Sequence, residues 1–105
     1  MKPVIKNIDS FENPILGTKD GVPTVVSLYH DHAPGESSKH HSHPWEHQVY
    51  ITSGSGIVWV DGEEFSIKQG DFILVPPDST HHFKNTGESM LSRITFNPKK
   101  SEEYL

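Results

Sequence analysis

The sequence lacks cysteine altogether, contains a single arginine, Arg93, and has no apolar run long enough to cross a membrane. The absence of cysteine excludes disulfides, thiolate metal sites and cysteine nucleophiles. One arginine in a chain of net charge -5 argues against a basic surface for nucleic acid or for an anionic membrane. We therefore expect a small molecule or another protein as the partner.

Residues 1–20 also lack the apolar core of a signal peptide, so a cytoplasmic location is expected. The length of 105 residues suits one domain of ordinary size. We expect a single domain over residues 1–105.

A helical stripe is missing as well, and short alternating runs stand between the 8 glycines and 8 prolines instead. Loops are expected at residues 30–36 and 53–56, an extended run at 37–43, and a tight hairpin at Asp61-Gly62. This all-β pattern fits a sandwich or a barrel-like jelly roll, and the pattern alone does not choose between them. The predicted strands are residues 23–29, 47–52, 57–60, 64–67, 72–75, 81–85 and 90–96.

What the sequence does have is histidine, with 8 in all and six of them in two interior clusters. His41 and His43 would leave an extended strand on the same face, about 6.6 Å apart along the chain. His47 can join them only if the chain bends, and Pro44 supplies that bend. His81, which begins a strand after a proline corner, is the natural distant partner. This set of nitrogen ligands predicts a site for a divalent transition metal.

Other polar and aromatic side chains are expected to have no part in the chemistry. The four remaining histidines are interpreted as surface or hydrogen-bonded residues, and Asn85 as a structural hydrogen-bonding group. The large aromatic residues are expected to pack in the core or at a dimer interface. The residues in question are His30, His32, His40 and His82, then Trp45, Tyr50, Trp59 and Phe83.

These residues resemble the two motifs of the cupins over about residues 22–98. The first motif runs from Gly35 through His41-Ser42-His43 and His47 to Gly54, and the second from Gly70 through Pro76 and His81 to Asn85. The resemblance implies a single cupin domain, a double-stranded β-helix or jelly-roll barrel, with a metal held in its mouth. It also implies a homodimer.

The sequence departs from the cupin pattern at two positions. Asp78 replaces a glycine, which costs little because aspartate tolerates turn geometry. His47 replaces the usual glutamate ligand, so the chain looks like the cupin subgroup with four histidine ligands, with Glu46 and Gln48 as alternatives to His47. Four neutral imidazoles would leave a divalent Mn, Fe, Ni, Zn or Cu ion near +2 and favour anions.

Arg93 and Thr95 are tentative substrate-binding residues. If both face the barrel interior, Arg93 could hold a substrate carboxylate in a bidentate manner. The alternative is a solvated outer-face arginine, because Ser92, Ile94 and Phe96 make the more apolar face of that strand.

Three functions stay open at this point. The first is an oxidoreductase of dioxygenase type that acts on an anionic or enolisable substrate. The second is a redox-independent, metal-dependent isomerase of a sugar or sugar acid, and the third is a non-catalytic module that binds a small ligand.

Overall fold

The structure is a computed structural model that describes residues 2–104. Within this range, short 3-10 helices occur at Thr18–Asp20 and Lys99–Tyr104, and the rest of the regular structure is β-strand. All seven predicted strands are present, each overlapping its predicted range, which confirms the all-β class. They are β1 (Val25–His32), β2 (His47–Ser53), β3 (Ser55–Val60), β4 (Glu63–Lys68), β5 (Phe72–Val75), β6 (His81–Lys84) and β7 (Leu91–Pro98).

The strands form two antiparallel sheets. One sheet has four strands in the order β1-β7-β2-β5, and the other has three in the order β4-β3-β6. The last strand, β7, lies between β1 and β2. In the β1–β7 ladder, His30 is directly opposite Arg93. This topology brings chemistry-bearing residues together from segments about sixty positions apart in sequence.

One apolar cluster joins the two sheets, which therefore pack face to face. It takes side chains from six strands, namely Val49, Ile51, Val58, Ile67, Val75, Phe83 and Leu91. The inward face of β2 begins with His47 and continues with the aliphatic Val49 and Ile51. The inward face of β7 begins with Leu91 and continues with buried polar side chains. The polar part of each inward face is where the site forms.

Two tight turns connect strands that follow each other in the sequence. Asp61 and Gly62 connect β3 to β4 with φ values of 47° and 90°, as a type I′ hairpin requires and as the sequence predicted. Gly54 connects β2 to β3 with a φ of 81°, and a Cβ there would lie 2.3 Å from the Met90 carbonyl oxygen. Only glycine fits that position.

Two local predictions were wrong, and a third segment is extended as predicted but pairs less than a strand does. The loop expected at residues 30–36 begins later, because the ladder with β7 continues as far as the pair His32–Leu91. The extended run at residues 37–43 makes only isolated bridges to β6, one of them between His41 and His81. Gly56, expected in a turn, lies inside β3, where the Lys84 carbonyl of the adjacent strand leaves no room for a Cβ.

Candidate functional site

A cavity of about 540 Å³ lies between the two sheets. Strands β1, β2 and β7 of one sheet, β6 of the other and the loop after β1 all contribute to its wall. Six of the eight histidines line it, together with Arg93 and the apolar side chains of Leu28, Val49 and Phe83. The cavity therefore contains imidazole nitrogens that could bind a metal, the positive charge of Arg93, and an apolar part of the wall.

Three of the predicted ligands converge in this cavity. His41, His43 and His81 each offer a ring nitrogen within 4.8 Å of the other two. His41 reaches the site from the extended segment that bridges to His81, the first residue of β6. The ring centroids of His41 lie 4.3 Å from His43 and 4.8 Å from His81. The same-face spacing seen in the sequence thus brings both members of the His-x-His pair to one point.

His47 lies beside these three histidines, but it is not one of the residues whose ring nitrogens all lie within 4.8 Å of one another. It opens β2 after the corner at Pro44, and its ring centroid is 4.9 Å from those of both His43 and His81. Within residues 2–104, its Nε2 is a buried atom with no hydrogen-bond partner. A buried nitrogen without a hydrogen bond, on a ring in contact with two other imidazoles, is a suitable donor for a cation.

The alternatives to His47 point elsewhere. Glu46 and Gln48 are exposed, and the Gln48 amide donates to Glu46 Oε2 at 3.1 Å. Both flank His47 in sequence, and neither lines the cavity. The reason is the period-two alternation of an extended chain, which sends neighbours to opposite faces.

Hydrogen bonds fix the tautomers of two of these imidazoles. His47 Nδ1 donates to Asn97 Oδ1 at 2.5 Å, and His81 Nδ1 donates to the Ser79 carbonyl at 3.1 Å. In each ring the proton is therefore on Nδ1, and the lone pair of Nε2 is free. His43 is supported differently, by stacking on Trp45 with ring centroids 4.8 Å apart.

Partial loss of solvation in the cavity keeps the clustered histidines neutral. Desolvation, with smaller contributions from neighbouring histidines, lowers the pKa of His41 and of His47 from the ordinary 6.5 to about 4. The pKa of His43 and that of His81 are lowered as well, again mainly by burial. All four rings are therefore uncharged at neutral pH, which is the form that binds metals.

Arg93 lies inside the cavity with only 8% of its surface exposed. Its Nε donates to His32 Nε2 at 3.2 Å, its Nη1 donates to Thr95 Oγ1 at 3.0 Å, and its guanidinium carbon lies 4.5 Å from the Phe83 ring centroid. The ion pairs found in residues 2–104 do not include it. Burial lowers the pKa of Arg93 to about 10, so it stays charged at neutral pH.

The sequence reasoning missed three residues of this wall. His32 is buried and holds Arg93, His30 lines the cavity with a buried Nδ1 that has no hydrogen-bond partner in the described range, and Asn97 holds His47. Signals for them were present in the sequence. His30 and His32 repeat the spacing of His41 and His43, and Asn97 shares the alternation of Arg93.

The residues expected to be structural are placed as follows. Asn85 is fully buried, and its amide donates to the carbonyls of His32 and Ser89, which fits the structural interpretation. His40 and His82 lie outside the cavity, while Phe83 lines it. In residues 2–104 we find no helix long and apolar enough to cross a membrane.

Comparison with known proteins decides the family. Residues 28–96, about two thirds of the chain, match the family model described as a cupin domain. The chain belongs to the cupin family. The two-sheet architecture of this cupin is accordingly the jelly roll that its motifs implied.

Individual relatives cover only part of this cupin. Protein SchB of Streptomyces halstedii is 36% identical over 64 residues, which are 60% of this chain and 46% of that protein. An acireductone dioxygenase of Leptospira biflexa serovar Patoc is 41% identical over 66 residues, which are 53% of this chain and 37% of that protein. The cupin spans less than half the length of each of these curated relatives.

Solved structures share the fold. The polyketide cyclase RemF from Streptomyces resistomycificus superposes with a TM-score of 0.75 at 24% identity, covering 82% of this chain and 62% of that one. At that level of identity the likeness concerns the architecture alone.

Proposed function

We propose that this cupin is a metal-dependent enzyme of dioxygenase type that acts on a small anionic, enolisable molecule. The observation that carries the proposal is the presence of two complementary features in one cavity. One is a cluster of neutral imidazoles, and the other is a buried arginine outside the ion pairs of the described residues. The first suits a metal and the second suits an anion.

The metal would be held by His41, His43, His47 and His81. The unpartnered Nε2 of His47 supports its inclusion, because a buried nitrogen without a hydrogen bond costs about 1–3 kcal/mol unless something binds it. When bound, a Mn, Fe, Ni or Cu ion would supply Lewis acidity and redox chemistry, whereas Zn would supply Lewis acidity alone. Four neutral ligands would leave the full charge of the ion available to an anionic substrate.

The substrate anion would be held by Arg93. The Nε and Nη1 bonds to His32 and Thr95 fix the plane of the guanidinium, and the Phe83 ring supports its face. A planar guanidinium held in this way is prepared for bidentate binding of a carboxylate or enolate. Thr95 in this scheme is a positioning residue for Arg93.

One relative supports the dioxygenase type. The Leptospira biflexa protein that is 41% identical to this cupin over 66 residues is named an acireductone dioxygenase. That name describes a reaction that uses oxygen. The similarity therefore favours the oxidoreductase over the other two candidate functions.

A redox-independent isomerase is the second candidate, and His30 favours it. Burial first, and Arg93 second, lower the pKa of His30 to about 4, and its buried Nδ1 has no hydrogen-bond partner in the described range, so His30 is a neutral base beside the anion-binding residue. A neutral imidazole can move a proton between two carbon atoms of a bound sugar or sugar acid without an oxidant. One solved structure that resembles this cupin, at 26% identity and a TM-score of 0.69, is described as a candidate sugar phosphate isomerase from Acidithiobacillus ferrooxidans.

Oxygen consumption distinguishes the candidates. Protein loaded separately with Fe, Mn, Ni, Cu or Zn is mixed with a β-diketone, an α-keto acid, a catechol and a sugar acid, and dissolved oxygen is followed. The proposal expects uptake with a redox-active metal and none with Zn. Turnover that continues unchanged with Zn and without oxygen would overturn it in favour of the isomerase, and tight binding without turnover would favour a non-catalytic module.

We also propose a second copy of this chain as its partner. The outer face of the four-stranded sheet exposes Phe72, Leu74 and Phe96, and the Phe72 ring stacks on Tyr50. Two of these residues lie on β5, the edge strand of that sheet, so a dimer would cover both an apolar patch and an open edge. Sedimentation should give a dimer that Phe72→Glu converts to a monomer, and a monomeric wild type would refute this part.

A further inference from the structure

A second pair of histidines lies on the opposite side of the chain segments that carry His41 and His81. Those two residues form an antiparallel bridge, so their neighbours His40 and His82 are also opposite each other and point the other way. The Nδ1 atoms of His40 and His82 are 2.9 Å apart. Neither residue lines the cavity.

Trp59 holds this outer pair in place. Its ring stacks on His82 with an interplanar angle of 20° and a centroid distance of 5.6 Å, and it lies 4.6 Å from the His40 ring. Trp59 is also the cross-strand partner of His82 in the β3–β6 ladder. Two imidazoles that are fixed in this way lose less side-chain entropy when they bind a common ligand.

The separation of the two nitrogens suits adjacent ligands of one ion. For metal–nitrogen bonds of about 2.1 Å, two ligands at right angles are about 3.0 Å apart. A shared proton would also explain the 2.9 Å distance, and the experiment below separates the two explanations. Imidazole nitrogens bind Cu(II), Ni(II) and Zn(II) well.

We propose that His40 and His82 form a second, exposed metal site on the outer face of the barrel. It takes a Cu(II), Ni(II) or Zn(II) ion through the two Nδ1 atoms, with water in the other positions. Within residues 2–104, the convergence of three ligands occurs only at His41, His43 and His81, so the outer site is the weaker of the two. This inference does not depend on the proposed function.

The two tryptophans report on the two sites separately. Trp45 stacks on His43 in the cavity, whereas Trp59 contacts the outer pair. A Trp45→Phe protein therefore carries one tryptophan, placed at the proposed site. The protein is treated with excess Zn(II), desalted to remove weakly held ions, and titrated with Cu(II) while Trp59 fluorescence is recorded.

We expect saturable quenching by Cu(II), with an affinity that falls roughly tenfold or more when either histidine is removed, because the second imidazole binds at a high effective concentration. The variants are His40→Ala and His82→Ala, each in the Trp45→Phe background. Lys84→Ala is the matched control, since Lys84 is exposed on the same face of β6, carries no imidazole, and its removal should not weaken the Cu(II) affinity.

Quenching that does not saturate, or that is the same in His40→Ala, His82→Ala and Lys84→Ala, would overturn the site. Electron paramagnetic resonance of the Cu(II) complex gives an independent readout. Two nitrogen ligands should be seen in the Trp45→Phe protein and one in His40→Ala. Since His40 is exposed and outside the named strands, its replacement tests the site even if His82→Ala folds poorly.

Discussion

The imidazole of His47 donates from Nδ1 to Asn97 Oδ1 at 2.5 Å, which joins the first residue of β2 to β7. This hydrogen bond fixes the ring so that its buried Nε2 faces His43 and His81. Partners of this kind usually set both the tautomer and the basicity of a metal-binding histidine. Asn97 is thus the residue through which the fold controls the proposed fourth ligand.

Replacement of Asn97 should weaken metal binding through His47. Asn97→Leu removes the acceptor, and we expect a loss of about 10–100-fold in metal affinity. Asn97→Asp keeps an oxygen in the same place and should stay close to wild type. Competition against a chromophoric chelator measures both, with thermal melts to verify folding. Equal affinity in the leucine and aspartate variants would show that the hydrogen bond has no part in the site.

Replacement of Arg93 should weaken anion binding, because the planar guanidinium that can donate two parallel hydrogen bonds to a carboxylate is lost. Arg93→Lys keeps the charge but loses bidentate geometry, so we expect roughly tenfold weaker binding of small carboxylates, and Arg93→Gln should bind more weakly still. Calorimetric titration with pyruvate measures this. Lys100→Ala is the charge-matched control, because Lys100 is exposed and outside the cavity. If Lys100→Ala lowers the affinity as much as Arg93→Gln, general electrostatics explains the binding.

The strands and the convergence of His41, His43 and His81 could be predicted from the sequence, because period-two alternation and proline corners are local signals. The role of His32 could not be predicted in the same way. It depends on the register of β1 against β7, which places His30 opposite Arg93 and lets His32 reach the Arg93 Nε. Register between distant segments is a tertiary property.

The orientation of Arg93 shows the same limit. Alternation in β7 separates Arg93 and Thr95 from Ile94 and Phe96, and hydrophobicity alone would bury the second pair. The structure buries the first pair, leaves Phe96 exposed and places Leu91 on the same inward face as Arg93. A cavity with a polar wall reverses the usual rule that the apolar face of a strand points inward.

Acid should destabilise the metal-free protein through His30. Burial first, and Arg93 second, lower the pKa of His30 from 6.5 to about 4. Between those two values the unfolded chain binds more protons than the folded one, so the free energy of unfolding falls as the pH drops from about 6.5 to about 4. Below that range this group causes no further loss.

Urea unfolding at intervals between pH 7 and pH 4 measures the effect. His30→Gln has no group that titrates in this range at position 30, so its stability should decline less steeply than that of the wild type. The other buried histidines are retained in both proteins, and the comparison isolates His30. Parallel stability curves for the two proteins would contradict the predicted role of burial at this position.

The most direct test of the metal centre is the metal content of purified, dialysed protein, measured by elemental analysis for the wild type and for His41→Ala, His47→Ala and His81→Ala. We predict close to one tightly bound transition-metal ion per chain in the wild type and in the outer-face control His40→Ala, and a large loss in each of the three cavity variants. Stoichiometric metal in His41→Ala or His81→Ala would contradict the assignment of the site.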